Sequence, residues 1–239
     1  MDKLWAYLTA VQPDPDPWVG FASAAAALLI VGSRRTWAVT RGLVTIAHEG
    51  GHALMALLTR RKLEGIRLHS DTSGVTVTRG RPTGPGMVLT ALAGYLAPSL
   101  LGLAAAWLTA QGRVTLLFWA VLLFLFCMLL LIRNLYGALV LLATGGAVFA
   151  LSMYLPEQGQ QFAAHLGVWF LLFGGVRPIV ELQRKRRRRM APDSDADQLA
   201  RLTLLPGGCY VFFFLMVAAA SVLGGAWLMI VPVLATHFP

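Results

Sequence analysis

Seven apolar runs, each near the length of a membrane-crossing helix, dominate the chain: Trp18 to Gly32, Trp37 to Thr59, Gly86 to Ala110, Val114 to Ile132, Leu135 to Leu155, Phe162 to Val180 and Gly208 to Leu234. A helix of about 20 apolar residues spans the hydrocarbon core of a bilayer, so runs of this length have no comfortable place in a water-soluble domain. Composition agrees, since 57% of the 239 residues are hydrophobic and only 13% are charged, too few to cover a soluble surface of this size. The reading is a single integral membrane domain over residues 1–239, all-α and polytopic, with about six to seven transmembrane helices. The first run, short and Ala-rich, carries the weakest span signal.

The formal net charge of +9 raises the question of nucleic acid, and the placement of the charges answers it. Lys and Arg cluster in short segments between apolar runs, where they set orientation in a bilayer. With the N-terminus on the cytoplasmic side, Arg60, Arg61, Lys62, Arg67, Arg79, Arg81, Arg133 and the run Arg184 to Arg189 all fall inside, and seven spans put the C-terminus outside. Only Arg34, Arg35 and Arg113 then lie in outside loops. The Arg184–Arg189 run needs no nucleic acid to explain it, and the partners expected are the lipid bilayer and membrane-embedded protein. Residues 1–17 read as a tail whose Pro/Asp punctuation makes a poor cleavable signal peptide, so the first run reads as a retained anchor. Cys127 and Cys209 sit far apart and imply no disulfide framework.

Two inside segments carry structure of their own. Gly65 to Gly80 alternates Ile66 and Leu68, then Val75 and Val77, around "DTSG", which predicts a β-hairpin. Residues 183–197 form a basic and then acidic loop, after which Ser194 ahead of Asp195, with Leu199 and Leu202 following, predicts a short capped helix entering the last span. Trp18, Trp37 and Tyr154 lie near span ends, as interfacial aromatic belts do.

The chemistry is concentrated in "HEGGH", residues 48 to 52. On a helix His48 and His52 share one face with Glu49 beside them, the arrangement in which two imidazoles bind zinc and the carboxylate acts as general base. Glu49 is the one carboxylate deep within the seven runs, and an ionisable group there costs at least about 2.5 kcal/mol, which marks function. Gly50 and Gly51 let another backbone approach. Eight residues separate His52 from Arg60, putting the imidazoles roughly 12 Å below the inner surface. A catalytic zinc needs a third protein ligand, for which Asp71, Asp193, Asp195 and Asp197 come into consideration; the last two are better placed, on a helix able to dip toward the second span. His69 on the hairpin reads as solvated, and His165 and His237 as lying near the outer side, too far away to ligate.

The stretch "TIAHEGGHALMALLTRRKLEGIRLHSDTSGVTVTRG" followed by "LAGYLAPSLLGL" resembles the M50 site-2 protease clan of intramembrane zinc metalloproteases, in its M50B-like bacterial branch, over about Arg34 to Gly208. The resemblance implies Zn2+, peptide-bond hydrolysis near the cytoplasmic leaflet of a bacterial plasma membrane, and single-span membrane regulators as substrates. Its Asp-bearing motif on a later span is missing: the comparable "IRNLYGALVLL" offers Asn134 and no Asp. The resemblance then favours Asp195 as third ligand, with Asp197 the alternative. Asn134 is left either to hydrogen-bond substrate or an oxyanion, or to cap the fifth span. A non-catalytic M50-like scaffold or metal-binding protein is the alternative function, and a transporter with a His/Glu relay a further one.

Overall fold

The computed structural model describes residues 2–237. Its elements run α1 Asp2–Leu8, α2 Pro17–Gly32, α3 Arg34–Leu58, β1 Lys62–Leu68, β2 Gly74–Arg79, α4 Pro85–Ala110, α5 Val114–Leu131, α6 Leu135–Tyr154, α7 Glu157–Arg187, α8 Asp195–Leu202 and α9 Gly207–His237. Five helices (α4, α5, α6, α7 and α9) are individually long and apolar enough to cross a bilayer, and α2 with α3 forms a pair bent by 101°. The fold is therefore the all-α polytopic one expected, with one two-stranded sheet.

The bent pair changes the count and the orientation. The 16 residues of α2 extend about 24 Å, short of the roughly 30 Å hydrocarbon core. At Ser33 the backbone turns extended, with φ −70° and ψ 134°. The carbonyls freed there are not left bare in an apolar setting: Arg177 of α7 donates to Val31 O and Ser33 O, and Thr36 Oγ1 donates to Ile30 O at 2.7 Å. The Arg177 guanidinium lies 4.9 Å from the centre of the Trp37 ring and pairs with Glu181 at 3.0 Å. Trp37 is thus buried, 3% exposed, rather than part of an interfacial belt, while Trp18 and Tyr154 are exposed at helix ends.

Contacts fix where the pair begins and ends. Gln12 N donates to Gly112 O at 2.9 Å, and the Trp18 ring stacks on Phe162 near the start of α7. At the other end, Thr59 abuts Gly86 at the start of α4. So α2 and α3 together make one passage, and six passages, not seven, place both chain ends on the face opposite the hairpin and the Arg184–Arg189 run. If the basic face is the inner one, as the charge rule has it, the N-terminal residues lie on the side opposite to that expected. Arg34 and Arg35 move from an outside loop to the level of Arg177, which sharpens the charge asymmetry.

Three boundaries also shift. The supposed tail contains α1. The basic run continues α7 as far as Arg187, leaving 188–194 as the connection to α8. The hairpin begins at Lys62, with a register irregularity between Leu63 and Gly65, and His69 lies in its turn rather than on a strand face.

Small residues let the central helices meet. A side chain at Gly51 would strike Ala97 and the Ala93 carbonyl of α4, and one at Gly175 would strike Ser99, so α3, α4 and α7 pack backbone to backbone. The hairpin is pinned from the side. Ile66 and Leu68 are buried against Ile46, Leu125 and Met128, while Arg133 N donates to Ile66 O at 2.8 Å. Asn134 completes the edge, its Nδ2 donating to Leu68 O at 2.7 Å and its Oδ1 accepting from Leu68 N at 3.2 Å. Asn134 therefore extends the β1 edge and makes no side-chain cap on α6. In this register Thr76 faces inward opposite Ile66, and Val75 and Val77 point outward, 42% and 39% exposed.

Candidate metal centre

Helix α3 presents His48 and His52 one turn apart, with their Nε2 atoms separated by 3.1 Å. Asp195, the first residue of α8, brings Oδ2 to 3.3 Å from both Nε2 atoms. Among the described residues this trio is the one group of three or more His, Cys, Asp or Glu side chains able to hold an ion. His52 Nδ1 lies 2.7 Å from Thr90 O. A carbonyl only accepts, so Nδ1 carries a hydrogen and Nε2 is the nitrogen turned toward Asp195.

Three electron-rich atoms thus converge with spacings of 3.1–3.3 Å. The edge of a tetrahedron built on zinc–ligand bonds of about 2.0–2.1 Å is about 3.3 Å, so the donors present fit that ion in type and spacing. Burial works against ionisation of Asp195, yet the facing imidazoles of His52 and His48 hold its carboxyl well below the usual carboxylate range.

Placement of Asp195 follows from the local sequence. Ser194 accepts from Asp197 N and starts α8, as the cap signal implied. Residues two apart on a helix point about 200° away from each other, so Asp195 and Asp197 cannot both face the imidazoles. Asp197, the alternative ligand, turns the other way. It takes a bidentate pair from Arg186, Nη2 donating to Oδ1 at 2.7 Å and Nε to Oδ2 at 3.1 Å, and a bond from Ser194 Oγ at 2.6 Å. The Arg186 guanidinium holds the Asp197 carboxyl below its ordinary range and ties α8 to the end of α7. Asp71 and Asp193 are elsewhere: Asp71 accepts from Ser73 N and Oγ within the hairpin turn, and Asp193 lies on the surface 3.7 Å from Arg201. His165 is buried near the start of α7 beside Asp16 and Pro17, and the His237 side chain lies outside the described ones.

Glu49 is 4% exposed and stands apart from the three ligand atoms. Its Oε2 accepts from Thr76 Oγ1 at 2.6 Å, and Gly74 passes so close that a Cβ there would sit 2.8 Å from Oε1. The strand β2 therefore orients this carboxylate. A cavity opens between α3, the hairpin turn, α4 and α7, lined by His48, Glu49, Arg41, Gly74, Tyr95 and others. The Tyr95 ring meets His48 edge-on at 4.8 Å and stacks on Phe214 at 5.2 Å. Asn134 is absent from this lining and spends its amide on Leu68.

Several site residues escaped the sequence reading. Thr90, Gly94 and Tyr95 lie inside an apolar run, and Thr76 and Gly74 inside the hairpin. The signal was available in part: Gly and Tyr adjoining in "LAGYLAP" interrupt an otherwise aliphatic span. Gly94 is the most constrained, because a Cβ there would overlap His52 Nε2 and lie 2.7 Å from His48 Cε1.

No curated protein and no solved structure matches the chain. A family model does, that of the Peptidase M50B-like proteins, over residues 21–225, which takes in the broken first passage, the imidazole pair, the hairpin, α8 and most of α9. With most of its length matched and this constellation inside the matched span, the chain belongs to the Peptidase M50B-like family.

Proposed function

We propose that the protein is an intramembrane zinc metalloprotease that hydrolyses peptide bonds of membrane-embedded substrates near the cytoplasmic leaflet. The observation that carries this reading is the convergence of Asp195 on His48 and His52, since it restores a three-ligand set in a chain that lacks the clan's usual Asp motif. His48, His52 and Asp195 would hold the ion, which supplies Lewis acidity and activates water near neutral pH. Glu49 would accept the proton of the attacking water and return it to the departing amine, with Thr76 keeping its carboxylate oriented.

The hairpin supports a substrate role for this cavity. The β1 edge is closed by Arg133 and Asn134, while β2, which carries Thr76, pairs only with β1 among the described residues. An unwound substrate segment can add to the outer edge of β2 as a further strand beside Glu49. Substrates of this kind are single-span membrane proteins, and the basic face carrying the hairpin faces the cytoplasm, in a bacterial plasma membrane.

The test is cleavage of a single-span reporter by the full-length protein in proteoliposomes. Cleavage is expected to stop on treatment with a zinc chelator and to return on adding Zn2+ but not Mg2+. Cleavage that survives complete metal removal would contradict the reading.

A further inference from the structure

The cavity beside Glu49 holds a cation with nothing bound to it. Arg41 lies on α3, two turns before His48 and on the same face, half-buried in the cavity lining. Among the described residues its side chain has no carboxylate within ion-pair distance, donates no hydrogen bond and stacks on no ring. The nearby acids do not reach it at ion-pair distance. Asp71 senses the Arg41 charge from a distance while its Oδ1 accepts from Ser73, and Glu49 is turned toward Thr76, from which its Oε2 accepts. The other arginine of this region, Arg177, is fully engaged by Val31 O, Trp37 and Glu181. A guanidinium left unpaired inside a membrane-crossing passage is costly, and such groups persist where they meet a ligand.

We propose that Arg41 forms a subsite for a carboxylate of the substrate, three to four residues from the bond that is cut; this rests on the protease reading above. The spacing follows from the helix. Arg41 and Glu49 are eight residues apart on α3, about 12 Å along its axis. An extended chain advances about 3.3 Å per residue, so a segment lying along β2 and α3 reaches the guanidinium after three or four residues. The carboxylate can belong to an Asp or Glu side chain or to a chain terminus, since the planar fork of Arg41 recognises the same group in either.

The experiment profiles peptide cleavage by zinc-loaded full-length protein, using two libraries that differ only in free or amidated C-termini. Wild type is expected to prefer an acidic residue at one position three or four residues from the cut, in both libraries if the side chain is recognised and only in the free one if the terminus is. Arg41→Gln should lower kcat/KM for acidic peptides relative to their amide analogues about ten- to hundredfold, Arg41→Lys should restore part of it, and Arg41→Glu should turn the preference toward Lys and Arg. Cleavage without any acidic preference overturns the subsite and leaves the protease reading standing. A zinc-loaded wild type that cuts nothing in either library overturns both. If Arg41→Gln changes only the response to anionic lipid in nanodiscs, the cation serves headgroups and the subsite is again overturned.

Discussion

Replacing Glu49 by Gln is expected to lower cleavage of a single-span reporter about a thousandfold while the zinc content of the purified protein stays that of wild type. The two halves of that expectation rest on different observations. The carboxylate of Glu49 stands outside the group of His48, His52 and Asp195, so a neutral isostere leaves every ligand in place. Gln also keeps an oxygen to accept from Thr76 Oγ1, so the side chain holds its position against β2. What it loses is the ability to take a proton from water, and general-base assistance of this kind accounts for about 10²–10⁴ in rate. Turnover by reporter cleavage and zinc by elemental analysis, on the same preparation, check both halves. A scaffold would be indifferent to the substitution, and a proton relay would change its transport.

An equally large effect is expected from a residue that carries no chemistry. Gly94→Ala puts one methyl group where His52 Nε2 and Cε1 already stand, 2.7 Å from His48 Cε1. The backbone of α4 cannot yield easily, because Ala93 and Ala97 on either side of it are packed against Gly51 of α3. The imidazoles must therefore move away from Asp195, and zinc affinity should fall about ten- to hundredfold or more, with activity falling alongside. Helix propensity acts in the other direction, since Ala is about 1 kcal/mol better than Gly in a helix interior. A well-folded, zinc-poor protein is thus the expected result, read by circular dichroism and zinc titration. Gly145→Ala serves as the comparison: no atom lies within 4 Å of a Cβ there, and it should match wild type in both measurements.

The parts of this protein written in local pattern could be read directly. Apolar runs of the right length gave α4 to α7 and α9, "HEGGH" gave one face of α3, and Ser194 before Asp195 gave α8 with its cap. What tertiary partners decide was either misread or had no local signal. Nothing near Ser33 announces that α2 and α3 share one passage, because the break is stabilised by Arg177, which is remote in sequence. The rotation of α8 that selects Asp195 over Asp197 depends on Arg186 at the end of α7. Asn134 looked like a helix cap by position, yet its amide pairs with the Leu68 backbone of β1, a contact that hairpin periodicity alone does not specify.

The main consequence of Asp195 meeting His48 and His52 is a zinc site whose third ligand comes from a helix distant in sequence. Its most direct test is the zinc content and X-ray absorption spectrum of the purified full-length protein, wild type against Asp195→Ala. One zinc per wild-type chain is expected, with two imidazoles and one carboxylate in its coordination shell, and loss of that ion in the variant. Stoichiometric zinc that survives in Asp195→Ala with an unchanged spectrum would contradict it.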